Sequence, residues 1–274
     1  MKHLVTVVIP CYNDGAYVKK AVESVLSQTY SNFTIFIVDD GSNQDTKDVL
    51  STISHEKIKV HYQVNKGVSN ARNQAIEMSD TKYILTLDAD DYFEPTFLEK
   101  AIDILEANEP IGIVASHYNI VEREREGVVV KPVGGTIENF LNKNEGVASA
   151  LFRRKCWEEV QGYDEKMKDG YEDWEFWIAI LSKSWQMRII EESLFNYRVK
   201  EHSRDKSARE EHDLKLKKYI FNKHKNSYKE HFEVVFNSLI EKNDFQKKKI
   251  NKLERSRKQA IDNMFLKPFK IFKR

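Results

Sequence analysis

An apolar run that ends in three carboxylates is the feature that most constrains this chain. The stretch YILTLDADDYF, residues 83–93, begins like a strand buried on both faces and continues into Asp88, Asp90 and Asp91. In an extended chain, Asp88 and Asp90 point to the same side. Two such carboxylates can bind Mg²⁺ or Mn²⁺, which is commonly held by one or two carboxylates together with substrate phosphates. Taken alone, the stretch also fits a solvated acidic turn.

Apolar runs alternate with helical patterns through the first part of the chain. LVTVVIP, FTIFIVDD, IKVHY and YILTL are typical of strands, and amphipathic segments separate them. This alternation predicts an α/β fold with a doubly wound, mainly parallel sheet. Ligands of such sheets bind beyond the carboxyl ends of the strands. Polar groups follow three of these strands, so we expect them to face one crevice: Tyr12, Asn13 and Asp14; Asp39 and Asp40; and Asp88 to Asp91.

After about residue 111 the strands and helices no longer alternate regularly. Residues 111–132 predict a strand, a charged turn and a second strand, which indicates small antiparallel additions to the sheet. WQMRII and LFNYRV predict two further short strands. After about Ala208 the sequence is rich in lysine and helical in period. We therefore predict a catalytic-type domain over residues 1–205 and a helical extension over residues 206–274.

Composition narrows the class of protein. The two cysteines, Cys11 and Cys156, lie far apart and do not form a zinc or disulfide framework, which fits a reducing compartment. No segment approaches the roughly 18 apolar residues of a membrane span, so we expect a cytoplasmic protein. The net charge is +1, but residues 241–274 hold 12 lysines and arginines against 4 acids. A mildly acidic body is thus joined to a basic extension.

Five segments together resemble family 2 glycosyltransferases in order and approximate spacing. They are VVIPCYND, IVDDGSNQDT, NKGVSNARNQAI, LTLDADD and GYEDWEFW, and the resemblance covers about residues 4–200. It implies the GT-A fold and an inverting transfer of a hexose or N-acetylhexosamine from a UDP-sugar, with Mn²⁺ or Mg²⁺. It also implies a glycan, lipid-linked or glycoprotein acceptor.

The resemblance assigns roles to individual residues. Tyr12 resembles the aromatic residue that packs against the nucleotide base, and Asp39 resembles the acid that hydrogen-bonds that base. Asp90 resembles the direct metal ligand. Asp40 is adjacent to Asp39 and could be confused with it, while Asp91 resembles a residue behind the metal ligands. The donor-binding set that it implies is Pro10, Tyr12, Asp14, Asp39, Lys66, Arg72, Asp88 and Arg198, and the metal set is Asp90, Asp88 and His202. Arg72 could instead lie on a helix surface, and YRVKEH departs from the usual Tyr-Arg-x-His form, which leaves the role of His202 open.

An inverting transfer needs a base that is separate from the metal site. Glu172 and Asp173 lie about 80 residues after the metal carboxylates, at the predicted start of a helix. The resemblance favours Asp173 as the base and Glu172 as its neighbour or an acceptor contact. An ordinary acidic first turn, stabilised by the helix dipole, is the alternative.

Two other functions compete with sugar transfer. A nucleotidyltransferase would need a glycine-rich loop after the first strand, where this chain has PCYNDGAY. A catalytically weak scaffold could act through its basic extension. Residues 264–274 interleave large apolar side chains with lysines, which predicts peripheral association with an anionic membrane, on its inner face. A weak homo-oligomer through the extension stays open, and no nucleic-acid partner is expected.

Overall fold

A computed structural model of the chain describes residues 4–122, 125–200 and 207–266. The strands are β1 (Val5–Cys11), β2 (Phe33–Asp40), β3 (Ile58–Gln63), β4 (Tyr83–Thr86), β5 (Tyr92–Phe93), β6 (Ile111–Glu122), β7 (Arg125–Val130), β8 (Leu151–Arg153) and β9 (Gln186–Arg198). The α-helices are α1 (Val18–Leu26), α2 (Gln44–Ser51), α3 (Val68–Glu77), α4 (Phe97–Ala107), α5 (Ile137–Phe140), α6 (Arg154–Val160), α7 (Glu172–Leu181), α8 (Asp213–Lys223), α9 (Lys225–Glu230) and α10 (Phe232–Leu266). A π-helical segment, Ala208–His212, leads into α8.

The described strands form one nine-stranded sheet. Its order is β3-β2-β1-β4-β8-β6-β9-β5, and β7 pairs with β6. β1, β2, β3 and β4 are parallel to one another, as the alternating sequence predicts. All residues of β1 and β2 are buried, as expected of strands in a doubly wound sheet, and α3 packs against both strands. The carboxyl ends of β1, β2 and β4 therefore lie along one edge.

Local sequence sets where the site-forming helices begin. Asn43 caps α2 by accepting a hydrogen bond from the Thr46 backbone N–H at 3.0 Å. Before α7, Gly170 has φ +121° and Tyr171 has φ +59°, which turns the chain sharply into the helix. A Cβ on Gly170 would lie 2.6 Å from the Cβ of Ala208, so this approach has room only for glycine. The acidic residues that follow thus lie in the first turn of α7.

The second half of the sheet is mixed. β6 and β7 form the predicted antiparallel pair. β8 lies antiparallel to both β4 and β6, and β5 lies antiparallel to β9. The two short strands predicted around residues 185–198 are one strand, β9, which pairs in parallel with β6 through several register shifts. The shifts let one strand continue where the sequence pattern breaks. The α/β class with antiparallel additions and a helical C-terminal part is confirmed.

The chain divides into two compact units, one up to Ser227 and one from Tyr228 onward. The first unit contains the sheet and extends past the boundary predicted at residue 205, because α8 contributes Leu216 and Ile220 to its core. The second unit is dominated by α10, a helix of 35 residues. Among the described residues, no helix combines the length and apolar character needed to cross a membrane.

Candidate active site

A cavity of about 330 Å³ lies at the carboxyl edge of the parallel strands. It is lined by residues from the ends of β1, β2 and β4, from the turn before α3 and from the end of β9. Predicted donor-site residues in this lining are Pro10, Tyr12, Asp14, Asp88, Asp90 and Arg198. A larger cavity of about 630 Å³ lies beside α8, and none of the predicted donor-site residues lines it. The predicted crevice is therefore the smaller cavity.

The loop after β1 holds an aromatic ring at the edge of this cavity. Tyr12 is 52% exposed. The next residue, Asn13, has φ +58°, a conformation that asparagine adopts more readily than most residues. Its backbone N–H donates to the Ser42 hydroxyl at 3.0 Å, and its side-chain oxygen accepts from the Asn43 backbone N–H at 2.8 Å. This loop is thus tied to the loop after β2, and the Tyr12 ring stays available for a flat partner.

The adjacent acids at the end of β2 have different environments. Asp39 is fully buried, and its Oδ1 accepts from the Ser42 backbone N–H at 3.2 Å. Its Oδ2 is buried and has no hydrogen-bond partner among the described residues. Both oxygens of Asp40 are engaged, by the Gln63 side chain and by the backbone N–H groups of Lys66 and Gly67. Asp39 therefore has a free buried acceptor, while Asp40 shapes the turn before α3.

The three carboxylates after β4 lie in a turn rather than in an extended segment. β4 ends at Thr86, and the Asp91 backbone N–H donates to the Asp88 carbonyl at 3.0 Å. Asp88 and Asp90 still line the same cavity, but each binds a different cation. Asp88 Oδ1 lies 2.6 Å from an Arg72 nitrogen, and Asp90 Oδ2 lies 2.6 Å from Lys200 Nζ.

Burial and mutual repulsion raise the pKa of two of these acids. Burial, and then the charge of Asp88, raise the pKa of Asp90, while Lys200 opposes the shift. Burial followed by the charges of Asp90 and Asp88 raises the pKa of Asp91 well above its usual value. The Arg198 backbone N–H donates to Asp91 at 2.8 Å. Additional positive charge in this cleft would favour the ionised forms of these carboxylates.

Arg72 lies deeper than its predicted diphosphate role implies. It is fully buried on α3, does not line the cavity, and donates to Asp88 and to Glu172 at 2.6 and 3.0 Å. Its guanidinium also lies over the Tyr163 ring, 5.3 Å from the centroid. Arg72 thus connects the carboxylates after β4 to the start of α7. Lys66 is exposed, and its backbone contributes to the turn around Asp40.

The two predicted base residues are also distinct. Glu172 is buried against Arg72, whereas Asp173 is partly exposed. Asp173 Oδ2 accepts a hydrogen bond from the Asn144 side chain at 2.7 Å. Burial, and then the neighbouring charge of Glu172, raise the pKa of Asp173 to about 6. Asp173 is therefore the carboxylate of this pair that can accept a proton near neutral pH.

Arg198 and Lys200 close the cavity from the end of β9. Arg198 Nε donates to the Asp90 carbonyl at 3.0 Å, and its guanidinium lies 4.8 Å from the centroid of the Tyr17 ring. Lys200 Nζ contacts both Asp90 and Asp14, at 2.6 and 2.7 Å. The two carboxylates raise the pKa of Lys200 above its usual value against the opposing effect of burial. His202 lies outside the described residues.

The described residues do not contain a group of three or more His, Cys, Asp or Glu side chains placed to hold a metal ion. Within the cavity lining, Asp14 and Asp90 both contact the ammonium of Lys200. Two carboxylates fit a hard divalent cation when phosphate oxygens supply further ligands. The two carboxylates thus suit a metal ion that binds together with a diphosphate.

Two residues of this site were missed by sequence reasoning. Lys200 occupies the position at which the Tyr-Arg-x-His form has its histidine, so the motif itself offered a signal. Asn144 lies in an irregular segment 29 residues before Asp173, and no local pattern pointed to their contact.

Comparison with known proteins gives a consistent family. The family model described as glycosyl transferase family 2 matches residues 6–160. Chondroitin synthase of Escherichia coli is 30% identical over 179 residues, which cover 61% of this chain but only 25% of that protein. An uncharacterized glycosyltransferase of Methanocaldococcus jannaschii is 29% identical over 209 residues, or 72% of this chain and 71% of that protein.

Solved structures support the fold. S. aureus TarS 1–349 in complex with UDP-GlcNAc superimposes with a TM-score of 0.64 and 19% identity, over 76% of this chain and 61% of that chain. The complex of the same protein with UDP gives a TM-score of 0.59 and 20% identity, over 73% and 61% of the respective chains. These likenesses confirm the predicted GT-A fold. With a family model that matches more than half of its length, the chain belongs to glycosyl transferase family 2.

Proposed function

We propose that this protein transfers a hexose or N-acetylhexosamine from a UDP-sugar to an acceptor hydroxyl, with inversion at the anomeric carbon. The observation that carries the proposal is the buried Oδ2 of Asp39, which has no hydrogen-bond partner among the described residues and lies at the end of β2, next to the cavity-lining Asp40. A buried acceptor without a donor is costly, and the ring N–H of a pyrimidine base would satisfy it. The likeness to TarS complexes with UDP and UDP-GlcNAc supports a uridine nucleotide.

The pyrimidine ring and the diphosphate of the nucleotide need different places in the cleft. We assign the pyrimidine ring to the loop after β1 and to Asp39, with the exposed Tyr12 ring against its face. We assign the diphosphate to the end of the cavity that contains Asp14, Asp90, Arg198 and Lys200. A bound Mg²⁺ or Mn²⁺ would supply positive charge to the departing diphosphate, with Asp90 and Asp14 as its protein ligands and Asp88 beside it.

The chemical step then needs a base outside the diphosphate site. The acceptor oxygen forms a bond to the anomeric carbon as the bond from that carbon to the diphosphate oxygen breaks. We assign removal of the acceptor proton to Asp173, because its pKa of about 6 leaves it ionised at neutral pH but still basic. Glu172 neutralises buried Arg72 and thereby supports the start of α7.

The acceptor class is proposed from the family and from the sequence of the extension. We propose a cell-surface glycan, a lipid-linked intermediate or a glycoprotein, and association of residues 264–274 with the inner face of an anionic membrane. The chondroitin synthase relative supports a polysaccharide product. Residues 267–274 and the side chains of residues 263–266 lie outside the described part, so this element rests on the sequence pattern.

Binding and turnover of nucleotide sugars test the proposal. Calorimetry with UDP and Mn²⁺ should show binding to the parent protein and at least tenfold weaker binding to Asp39→Asn, since the amide offers the ring N–H a poorer acceptor. Asp48→Asn on α2, which removes an exposed carboxylate, is the matched control. Asp173→Asn should bind UDP normally and lose transfer by roughly 10²–10⁴-fold.

The competing scaffold function gives different results. A scaffold would show no hydrolysis or transfer with UDP-glucose, UDP-N-acetylglucosamine or GDP-mannose in the presence of Mn²⁺. Equal UDP binding by the parent and Asp39→Asn would remove the nucleotide assignment. Parent-level transfer by Asp173→Asn would move the base elsewhere, with Glu172 tested next.

A further inference from the structure

Lys200 joins two acidic loops that would otherwise face each other across the cavity. Its Nζ lies 2.7 Å from Asp14 Oδ1 and 2.6 Å from Asp90 Oδ2. Asp14 follows β1, Asp90 follows β4, and Lys200 follows β9, so three separate elements meet at one ammonium. The side chains are only 28%, 19% and 17% exposed for Lys200, Asp14 and Asp90. This contact is therefore a largely enclosed ion pair, not a surface pair.

The ammonium fills the space that a cation shared by these carboxylates would need. A hard divalent cation binds carboxylate oxygens directly, at about 2.0–2.2 Å for Mg²⁺. An ammonium and a divalent cation a few ångströms apart would repel each other strongly in a partly enclosed cleft. Only one of the two can bind Asp14 and Asp90 at a time. Lysine can leave such a position readily, since its charge lies at the end of a flexible four-carbon stem.

We propose that Lys200 is the resident cation of the donor-free site and is exchanged for a divalent cation when a nucleotide diphosphate binds. This inference rests on the proposed function. The incoming diphosphate supplies both further ligands for the metal and new negative charge for the displaced ammonium. Lysine is a common phosphate ligand as a point charge. Lys200 is thus a positioning residue that makes metal and donor bind together.

The exchange has a direct consequence for metal affinity. While Lys200 occupies the site, the fraction of protein able to bind metal is small, and the apparent affinity falls by that fraction. Without the nucleotide, the protein should bind Mn²⁺ weakly. With the nucleotide, the same site should bind Mn²⁺ well.

The electron paramagnetic resonance signal of free Mn²⁺ measures how much Mn²⁺ the protein binds, and this measurement needs no turnover. In the absence of nucleotide, Lys200→Met should bind Mn²⁺ at least tenfold more tightly than the parent, because two carboxylates are released. Lys200→Arg keeps the charge and should bind as weakly as the parent. Lys82→Met is the matched control, since Lys82 pairs with Glu106 at 2.8 Å at the opposite end of β4. The double variant Lys200→Met/Asp90→Asn should lose the added affinity, which locates the gained site.

A second arm with UDP separates this inference from the proposed function. If parent and Lys200→Met bind Mn²⁺ equally without UDP, Lys200 does not hold the site and the inference is overturned. If the parent also fails to bind Mn²⁺ with UDP present, the metal in the proposed function is wrong as well. Circular dichroism of each variant confirms folding, and Lys200→Arg decides the question should Lys200→Met unfold: metal binding much tighter than the parent's by this charge-retaining variant would contradict the exchange.

Discussion

Arg72 carries a charge in a place where water cannot compensate it. It is fully buried, and its two terminal nitrogens bind Asp88 and Glu172. Arginine suits this position because its planar fork can face two carboxylates at once, which a single ammonium cannot. The residue links the acidic turn after β4 to the helix that carries Asp173. Stability and site geometry therefore depend on the same side chain.

Removing that charge should be costly. Arg72→Met leaves two carboxylates without their partner and should lower the free energy of unfolding by about 3–5 kcal/mol. Lys82→Met removes an exposed ion pair and should change it by less than about 1 kcal/mol. Urea unfolding followed by tryptophan fluorescence measures both. Similar losses in the two variants would show that Arg72 is not the buried link described above.

Asn144 should tune the pH dependence of the reaction. Its hydrogen bond lowers the pKa of Asp173, which burial and Glu172 raise to about 6. Asp173 acts as a base only when ionised, so the rate should fall as pH decreases through this pKa. Asn144→Ala removes the opposing hydrogen bond, raises the pKa further and should shift the acidic limb of kcat/KM to higher pH.

The pH profile distinguishes this role from simple loss of structure. Asn108→Ala, an exposed change after α4, should leave the profile unchanged. A destabilised Asn144→Ala protein would lose rate at every pH without moving the limb. An unmoved limb would contradict the assignment of Asn144 to the base.

At the scale of elements, local sequence patterns were sufficient for the parallel half of the sheet. β1, β2 and β4 are continuous apolar runs, so their apolar character alone predicts buried strands and the edge of the sheet that carries Asp39 and Asp88. The sequence predicts two short strands in place of β9 because the apolar residues there are interrupted, and pairing with β6 makes them one strand. Lys200 and Asn144 reach their partners through long-range contacts, which no residue pattern within one segment encodes.

Long-range contacts also determine the position of α8. Its lysines predict a solvated helix, but Glu175 on α7 is almost fully buried and binds Lys223 and His224 at 2.9 and 2.7 Å. Asp164 likewise binds Lys223 and Tyr219. These contacts attach α8 to the segment that leads into Asp173. The first unit consequently continues to Ser227 rather than ending near residue 205.

This packing predicts unequal effects of two similar substitutions in α8. Ile220 is fully buried, and Ile220→Ala should lower the free energy of unfolding by about 2–5 kcal/mol. Leu214 lies on the same helix and is 66% exposed, so Leu214→Ala should change stability by less than about 0.5 kcal/mol. Thermal and urea unfolding of both variants test the difference. Equal, small effects would place the boundary of the stable unit before α8, where the sequence predicted it.

At the scale of the whole molecule, the second unit is the part that the proposed transfer does not use. α10 has several exposed large apolar residues along its length, among them Phe236, Leu239 and Leu253. Its basic residues, together with those of residues 267–274, give the extension its positive charge. Apolar and basic groups in one segment are typical of association with an anionic lipid surface or with another copy of the chain.

We predict that residues 264–274 provide reversible, salt-sensitive binding to anionic membranes. Phe265, Phe269 and Phe272 would enter the interface, while neighbouring lysines meet the headgroups at about 1 kcal/mol for each residue. Sedimentation with vesicles containing phosphatidylserine should recover the full chain. Replacing Lys267, Lys270 and Lys273 with glutamate should weaken binding at least tenfold.

A matched replacement separates a local anchor from general attraction between charges. Exchanging Lys247, Lys248 and Lys249 for glutamate alters the same net charge within α10, away from the three phenylalanines, and should weaken binding far less. Raising the salt concentration should release the parent, because screening shortens the reach of the lysines to within about 10 Å at 0.1 M. Equal sedimentation of the full chain and a chain ending at Ala260 would exclude the anchor. The exposed apolar residues of α10 would then be tested as an interface between two copies.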